Sequence, residues 1–218
     1  MRCLNCVYAW KTCGLPKGAD DVARPLPVAS LLVRTWHSAI CDDFPEPPAS
    51  QYCCRRCMSV VRATATWLST KPKAGAELDL SKAFDTLEHP MVETAMLARG
   101  KHAKAINLLK CAWKAPRYCV IKGRMAKPIW PTISVPQRCP ASPQAMCDVL
   151  APWETGAQQH AWMDDRTISS HHEDPVEAAN IVQRAIDATM QFDSSVGVIE
   201  TQGRDRFGIL VLRRKSST

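Results

Sequence analysis

From Thr94 through Cys147 this chain has not one Asp or Glu. Nor does any apolar run approach the roughly 18 to 20 residues that a bilayer crossing needs. The N-terminal MRCLNCVYAWKTCG lacks the long apolar core of a signal peptide. The protein is therefore expected to be intracellular, in nucleus or cytoplasm, with no membrane partner. Glycine is scarce: nine residues against sixteen prolines, a balance that favours extended, stiff connections over flexible ones. There is no internal repeat and no low-complexity segment.

What is present suits a globular domain. The 218 residues are 46% hydrophobic and 22% charged, enough to bury a sizeable core. The net charge of +7 is unevenly placed. The acid-free stretch carries Arg99, Lys101, Lys104, Lys110, Lys114, Arg117, Lys122, Arg124, Lys127 and Arg138. A block of one sign that long suits a polyanion, since each neutralised phosphate releases condensed counterions. A merely solvated basic face accounts for the charge equally well.

Eleven cysteines are many for an intracellular chain, but the odd count and irregular spacing argue against a disulfide framework. Cys3/Cys6 and Cys54/Cys57 form CxxC pairs, with Cys13 and Cys53 nearby. Four thiolates suit tetrahedral zinc, yet the pairs lie far apart without a His partner, and reduced thiols are the favoured reading.

Residues 1–70 show no long helical period except over Cys57–Leu68, and Pro45, Pro47 and Pro48 break any regular element there. After residue 70 the pattern becomes readable. Ala76–Leu80 reads as a buried strand and Met91–Trp113 as helix interrupted at Gly100. Arg117–Gly123 and Lys127–Val135 read as two strands, and a helix begins near Ser142-Pro143. Gln159–Ser169 reads as a tight hairpin with Asp164-Asp165 at its turn. Asp174-Pro175-Val176-Glu177 has the marks of a helix start, followed by Ala179, Val182, Ile186 and Met190 at helical spacing. Phe207–Leu212 is a last apolar strand. This order predicts an α+β fold with helices on one face of an antiparallel sheet.

Three carboxylates stand out. Asp79 falls in a predicted strand, where a buried charge is costly unless paired or bound to a metal. Asp164 and Asp165 adjoin at a turn, and a divalent cation would relieve their repulsion. Brought together, the three offer oxygen ligands suited to Mg²⁺ or Mn²⁺. Two such ions about 3.5 to 4 Å apart stabilise the attacking and leaving oxygens of a phosphoryl transfer. On spacing alone, an ordinary hairpin turn and an edge-strand carboxylate are the favoured explanation of these positions.

Segment LDLSKAFDTLEHPMV (residues 78–92) closely resembles the first palm motif of non-LTR and group-II-like reverse transcriptases. SVPQRCPASP resembles their second motif, usually GVPQGxPLSP, and AWMDDRTI the third. FDSSVGVIETQGRDRF is similar to a fourth, and ARPLPV through Arg34-Thr35-Trp36 to an RPI-type fingers motif. All occur in the family's order over roughly residues 23–212.

The resemblance implies a polymerase palm-like antiparallel sheet with helices on one face and a partial fingers segment. Residues 1–70 would be partial fingers, and 71–218 the palm with the thumb absent. Asp79 and Asp164 would hold the metal, with Asp165 adjoining. Phe84 would exclude a ribose 2′-hydroxyl, Gln137 would position template and nucleotide, and Arg24 and Arg204 would serve the incoming nucleotide. Lys101, Lys104, Lys110, Lys114, Lys122 and Arg124 would follow the nucleic-acid backbone. The partners implied are an RNA template with DNA primer and deoxynucleoside triphosphates. Against activity stand Ser134 and Arg138 where the family has glycine, Trp162 before the Asp pair, and a short interval from Gln137 to Asp164. A degenerate, inactive retroelement remnant that at most binds nucleic acid is the alternative expectation.

Overall fold

The computed structural model describes residues 9–17, 20–47, 59–121 and 123–198. It divides the chain into two compact units, each made of two chain segments. The first takes the chain up to Pro45 and Phe84–Val149, the second Glu46–Ala83 and the chain from Leu150. The boundary expected near residue 70 falls inside the second unit.

In the first unit, β1 (Trp10–Lys17) pairs antiparallel with β2 (Asp20–Val28) and parallel with β4 (Arg117–Ile121), which pairs antiparallel with β5 (Arg124–Met125). The sheet order is β2-β1-β4-β5. Proline cannot donate to a ladder, so Pro25 and Pro27 fit β2 only because it is an edge strand, and Pro16 sits at a register shift. Helix α1 (Leu31–Asp42) starts at Ser30, whose hydroxyl accepts from the Val33 amide at 3.4 Å. Neither this hairpin nor α1 was expected from the sequence.

Helices α4 (His89–Ala98) and α5 (Ala103–Trp113) follow the short α3 (Ala83–Thr86) and the chain segment after it, and α6 (Ser142–Val149) packs on α4. The expected break at Gly100 is real: its φ of +76° is a left-handed conformation that glycine adopts without a Cβ clash. Val92, Met96, Ile106, Leu109, Trp113 and Met146 are buried from these helices. Trp10 joins them from β1, its indole N–H donating to Ala112 O at 2.8 Å.

The expected strand Lys127–Val135 does not form. Pro128 and Pro131 lack the amide a ladder needs, and only an isolated Arg117–Ile129 bridge remains.

In the second unit, α2 (Val60–Ser69) precedes β3 (Ala74–Asp79), and β6 (Gln158–Trp162) and β7 (Asp165–Ser170) form the expected hairpin. The sheet is antiparallel throughout, in the order β3-β7-β6. Helix α7 (Pro175–Val196) packs on one face. It starts as expected: Asp174 accepts from the Val176 amide at 3.0 Å, Pro175 follows, and Gly197 ends it at φ +67°. Its buried stripe is Ala178, Val182, Ala185, Ile186, Thr189 and Asp193. Met190, expected inward, is exposed, and Ala179 is half-buried. The stripe meets Ala76, Leu78, Ala161, Ile168 and Trp153. Among the described residues no helix is long and apolar enough to cross a membrane. Phe207–Leu212 lies outside the described residues.

Candidate active site

Strand β3 alternates at its end: Ala76 and Leu78 are buried, Glu77 and Asp79 exposed. A period of two sends successive side chains to opposite faces, so the apolar pair meets α7 and the acids face away. Asp79 is thus not a charge buried in an apolar strand. Its direct cross-strand partner is Asp165, and Asp165 in turn lies opposite Trp162 of β6. The hairpin turn is Met163-Asp164, with Met163 left-handed at φ +58°, so Asp164 lies at the turn as expected while Asp165 opens β7.

Two carboxylates therefore stand side by side with a third one position along, at one end of the sheet. Next along the same face come His160, Thr167 and Glu77, opposite one another in register. Burial lowers the His160 pKa.

All-oxygen donors of this type suit Mg²⁺ or Mn²⁺. The donor chemistry fits a divalent cation at Asp79 and Asp165. Among the described residues, however, no group of three His, Cys, Asp or Glu is drawn together so as to hold a metal ion.

The opposite face explains how the hairpin is held. Arg166, next to Asp165, points inward and lies opposite Leu78 and Ala161. Its guanidinium makes a bidentate pair with Asp193 of α7, at 2.8 and 2.6 Å, and lies 5.2 Å from the Trp153 ring centroid. Trp153 in turn donates to Thr189 Oγ1 at 3.0 Å. This pair was not expected from the sequence. Its trace is an arginine at an inward position of an alternating strand, with an aspartate on the apolar stripe of α7.

The first unit carries Phe84, Gln137 and Arg24. Phe84 is buried, and its carbonyl accepts from the Val135 amide at 2.9 Å. The Ser134 amide donates to Leu87 O at 2.8 Å, and His89 Nε2 bonds Ser134 O at 2.9 Å. Residues of the first motif are thereby tied to the loop of the second. That loop is closed further by Ser142 Oγ donating to Pro136 O at 2.8 Å. Gln137 is half-buried and Arg138 exposed. Ser134 has φ +85°, so it holds at a serine a backbone conformation that favours glycine. Arg24 lies in β2 opposite Leu15.

Cys139, next in the loop, is buried 3.1 Å from His37 Nδ1 and accepts from the Trp113 indole N–H at 3.5 Å. Burial pushes its thiol pKa up and brings that of His37 down to about 4. Burial likewise pushes Cys41 up to about 12. These are structural thiols, since a reactive cysteine needs its thiolate favoured.

The basic tract is partly consumed by the fold. The two acids that bound it each take a lysine from within it. Asp148 binds Lys101, which is fully buried and lies 4.5 Å from the Phe44 ring centroid, and Glu93 binds Lys110. Lys101 is therefore removed from the surface and from any phosphate, a correction to the sequence expectation, because its ammonium is committed to a buried carboxylate. Lys104, Lys114 and Arg124 are exposed. Lys122 and Arg204 lie outside the described residues, as do Cys3, Cys6, Cys53, Cys54 and Cys57. Among the described cysteines, Cys13, Cys41, Cys111, Cys119, Cys139 and Cys147 are free of disulfides.

No family model matches the chain, and no curated protein matches it in sequence. Among solved structures it is similar to a telomerase from Candida tropicalis, determined in complex with a TWJ fragment of telomeric RNA. The TM-score is 0.63 at 10% identity, over 89% of this chain and 40% of the telomerase chain. The present chain thus spans less than half the length of that protein. A likeness at this identity shows the fold alone, and the α+β architecture with α7 on one face of an antiparallel sheet fits a palm-like fold.

Proposed function

We propose that this chain is the palm, with part of the fingers, of an RNA-directed DNA polymerase of the non-LTR retroelement kind. The single observation that carries the reading is the β3–β7 register, which sets Asp79 of the first motif opposite Asp165 of the third, beside Asp164. That pairing is long-range, and it joins two segments whose resemblance to polymerase motifs is independent. The likeness to a telomerase, a reverse-transcriptase-related enzyme, supports the same fold.

In this reading Asp79, Asp164 and Asp165 would hold Mg²⁺ or Mn²⁺. The cation would supply charge stabilisation to a phosphoryl transfer. The rest is positioning. The 3′-hydroxyl of a primer attacks the α-phosphate of a deoxynucleoside triphosphate; the new O–P bond forms as the bond from the α-phosphorus to the bridging oxygen breaks, pyrophosphate leaves, and the hydroxyl proton passes to solvent. By the resemblance, Phe84 would discriminate against a ribose 2′-hydroxyl, and Gln137 and Arg24 would serve the template and the triphosphate, an arginine fork being able to grip phosphate through two N–H bonds. Exposed Lys104, Lys114 and Arg124 would run along the primer–template backbone without reading sequence.

A second reading has its own observation. Arg138 occupies, exposed, the place where the resembled motif carries glycine, and Ser134 keeps a glycine-like backbone under a side chain. A palm altered at both positions is also what an inactive remnant that only binds nucleic acid would show. Primer extension on an RNA template separates the two. Extension by the native chain and none by Asp164→Ala supports the polymerase. Binding to primer–template without extension in any divalent cation supports the remnant.

A further inference from the structure

Every residue from Gly123 through Trp130 is exposed. Within this run Met125 is 67%, Ile129 57% and Trp130 56% exposed, and Ile133 just beyond is 46% exposed. Scattered surface apolar residues need no explanation, but four exposed apolar side chains between Met125 and Ile133 point to an interaction surface. Its surroundings say what kind. Exposed Arg124 and Lys127 lie in the same run, exposed Arg138 follows, and the whole segment belongs to the stretch without an acid.

The run is also held in place. Arg117 and Ile129 exchange both backbone hydrogen bonds, at 2.8 and 2.9 Å, and the Ala126 amide donates to Cys119 O at 2.9 Å. Pro128 and Pro131 fix φ on either side of the Ile129-Trp130 pair. A surface ordered before binding loses less entropy on binding.

We propose that Trp130, which ends the exposed run that also carries Arg124 and Lys127, is a stacking platform for an unpaired base of a single-stranded nucleic acid. A flat indole offers a π face to any base without reading its identity, while cations of the same exposed run take neighbouring phosphates. A neutral or basic protein face would gain nothing from the cations of the run. Duplex would meet the cations but has its bases stacked inward. The combination of exposed ring and exposed cations selects a strand whose bases are free. This inference rests on the nucleic-acid reading of the basic tract but not on chemistry at the carboxylates.

The test is equilibrium binding of the full chain to fluorescein-labelled single-stranded oligonucleotides, one with bases and one of equal length with an abasic backbone. The native chain is expected to bind the base-bearing strand more tightly. Trp130→Ala should lose about tenfold on that strand, within the range for stacking on an aromatic side chain, and change little on the abasic one. Trp130→Phe should keep most of the affinity, and the salt dependence of both variants should match the native chain, since no phosphate contact is removed. Arg124→Ala should instead lower the salt slope by about one.

Equal binding of both strands by native and Trp130→Ala proteins, or an equal loss on both strands, overturns stacking while leaving the basic tract as a nucleic-acid site. No binding of either strand by the native chain at low salt overturns the nucleic-acid reading itself. A native dimer that Trp130→Ala converts to monomer, with oligonucleotide affinity unchanged, would assign the patch to a second copy of the chain and overturn the proposal.

Discussion

Asp79 lies directly opposite Asp165 in the antiparallel β3–β7 pair, both on the face turned away from α7. Like charges in register across a sheet destabilise it by roughly 0.2 to 1 kcal/mol. Such repulsion is what a divalent cation between the two carboxylates would relieve. In buffer with chelator, Asp79→Asn should stabilise the chain within that range by denaturant melt. Mg²⁺ or Mn²⁺ should raise the melting temperature of the native chain more than that of the variant. An equal rise in both would place the ion elsewhere.

Ser134 carries two faults at one position. Its φ of +85° is a conformation that costs an L residue about 1 to 2 kcal/mol, and its buried hydroxyl lacks a hydrogen-bond partner among the described residues. Ser134→Gly removes both, against a loss of about 0.5 to 1 kcal/mol for the greater freedom of glycine unfolded. A net gain of about 1 kcal/mol is expected in chemical denaturation. Ser134→Ala removes the hydroxyl alone, keeps the strain, and should gain less.

The Arg166–Asp193 pair couples the hairpin to α7 from beneath. Removing one member leaves the other as a buried, uncompensated charge, which costs about 3 to 5 kcal/mol. Asp193→Ala and Arg166→Ala should each destabilise by that order. The double replacement Arg166→Met/Asp193→Leu should cost clearly less than their sum. Additive losses would mean that the two side chains do not act as a pair.

Protonation of His37 gives the acid limb of stability. Burial brings its pKa from 6.5 down to about 4, so the folded state binds fewer protons than the unfolded state between those values. Its contribution is full above pH 6.5 and is lost as pH falls through 4. The shift corresponds to about 3 kcal/mol. Burial lowers His89 and His160 in the same direction. Unfolding free energy should decline from pH 6.5 to 4, and His37→Leu should flatten part of that slope.

How much of this was legible varied with the range of the interactions. Helix α7 was readable because Asp174, Pro175 and Glu177 act locally within one turn. The α4–α5 break was readable because Gly100 needs only its own backbone. The β6–β7 hairpin was readable because its partners are close in sequence. Strand β2 was not, since Pro25 and Pro27 look like breakers and are tolerated only at a sheet edge that the sequence does not reveal. Helix α1 was not either: it buries Val33 and His37 while Leu31 and Leu32 are exposed, so its apolar pattern misleads. At the site, the carboxylates were visible as residue types. The Asp79–Asp165 register, the burial of Lys101 and the Arg166–Asp193 pair depend on contacts across many residues of chain, which local patterns do not encode.

The most direct test is single-nucleotide addition to a DNA primer annealed to an RNA template in Mg²⁺, with native, Asp79→Asn and Asp165→Asn chains side by side. Addition by the native chain is expected, with its loss in Asp79→Asn and a strong reduction in Asp165→Asn, and with primer–template affinity retained in all three. Addition that persists undiminished in both variants would show that the paired carboxylates are not the catalytic centre.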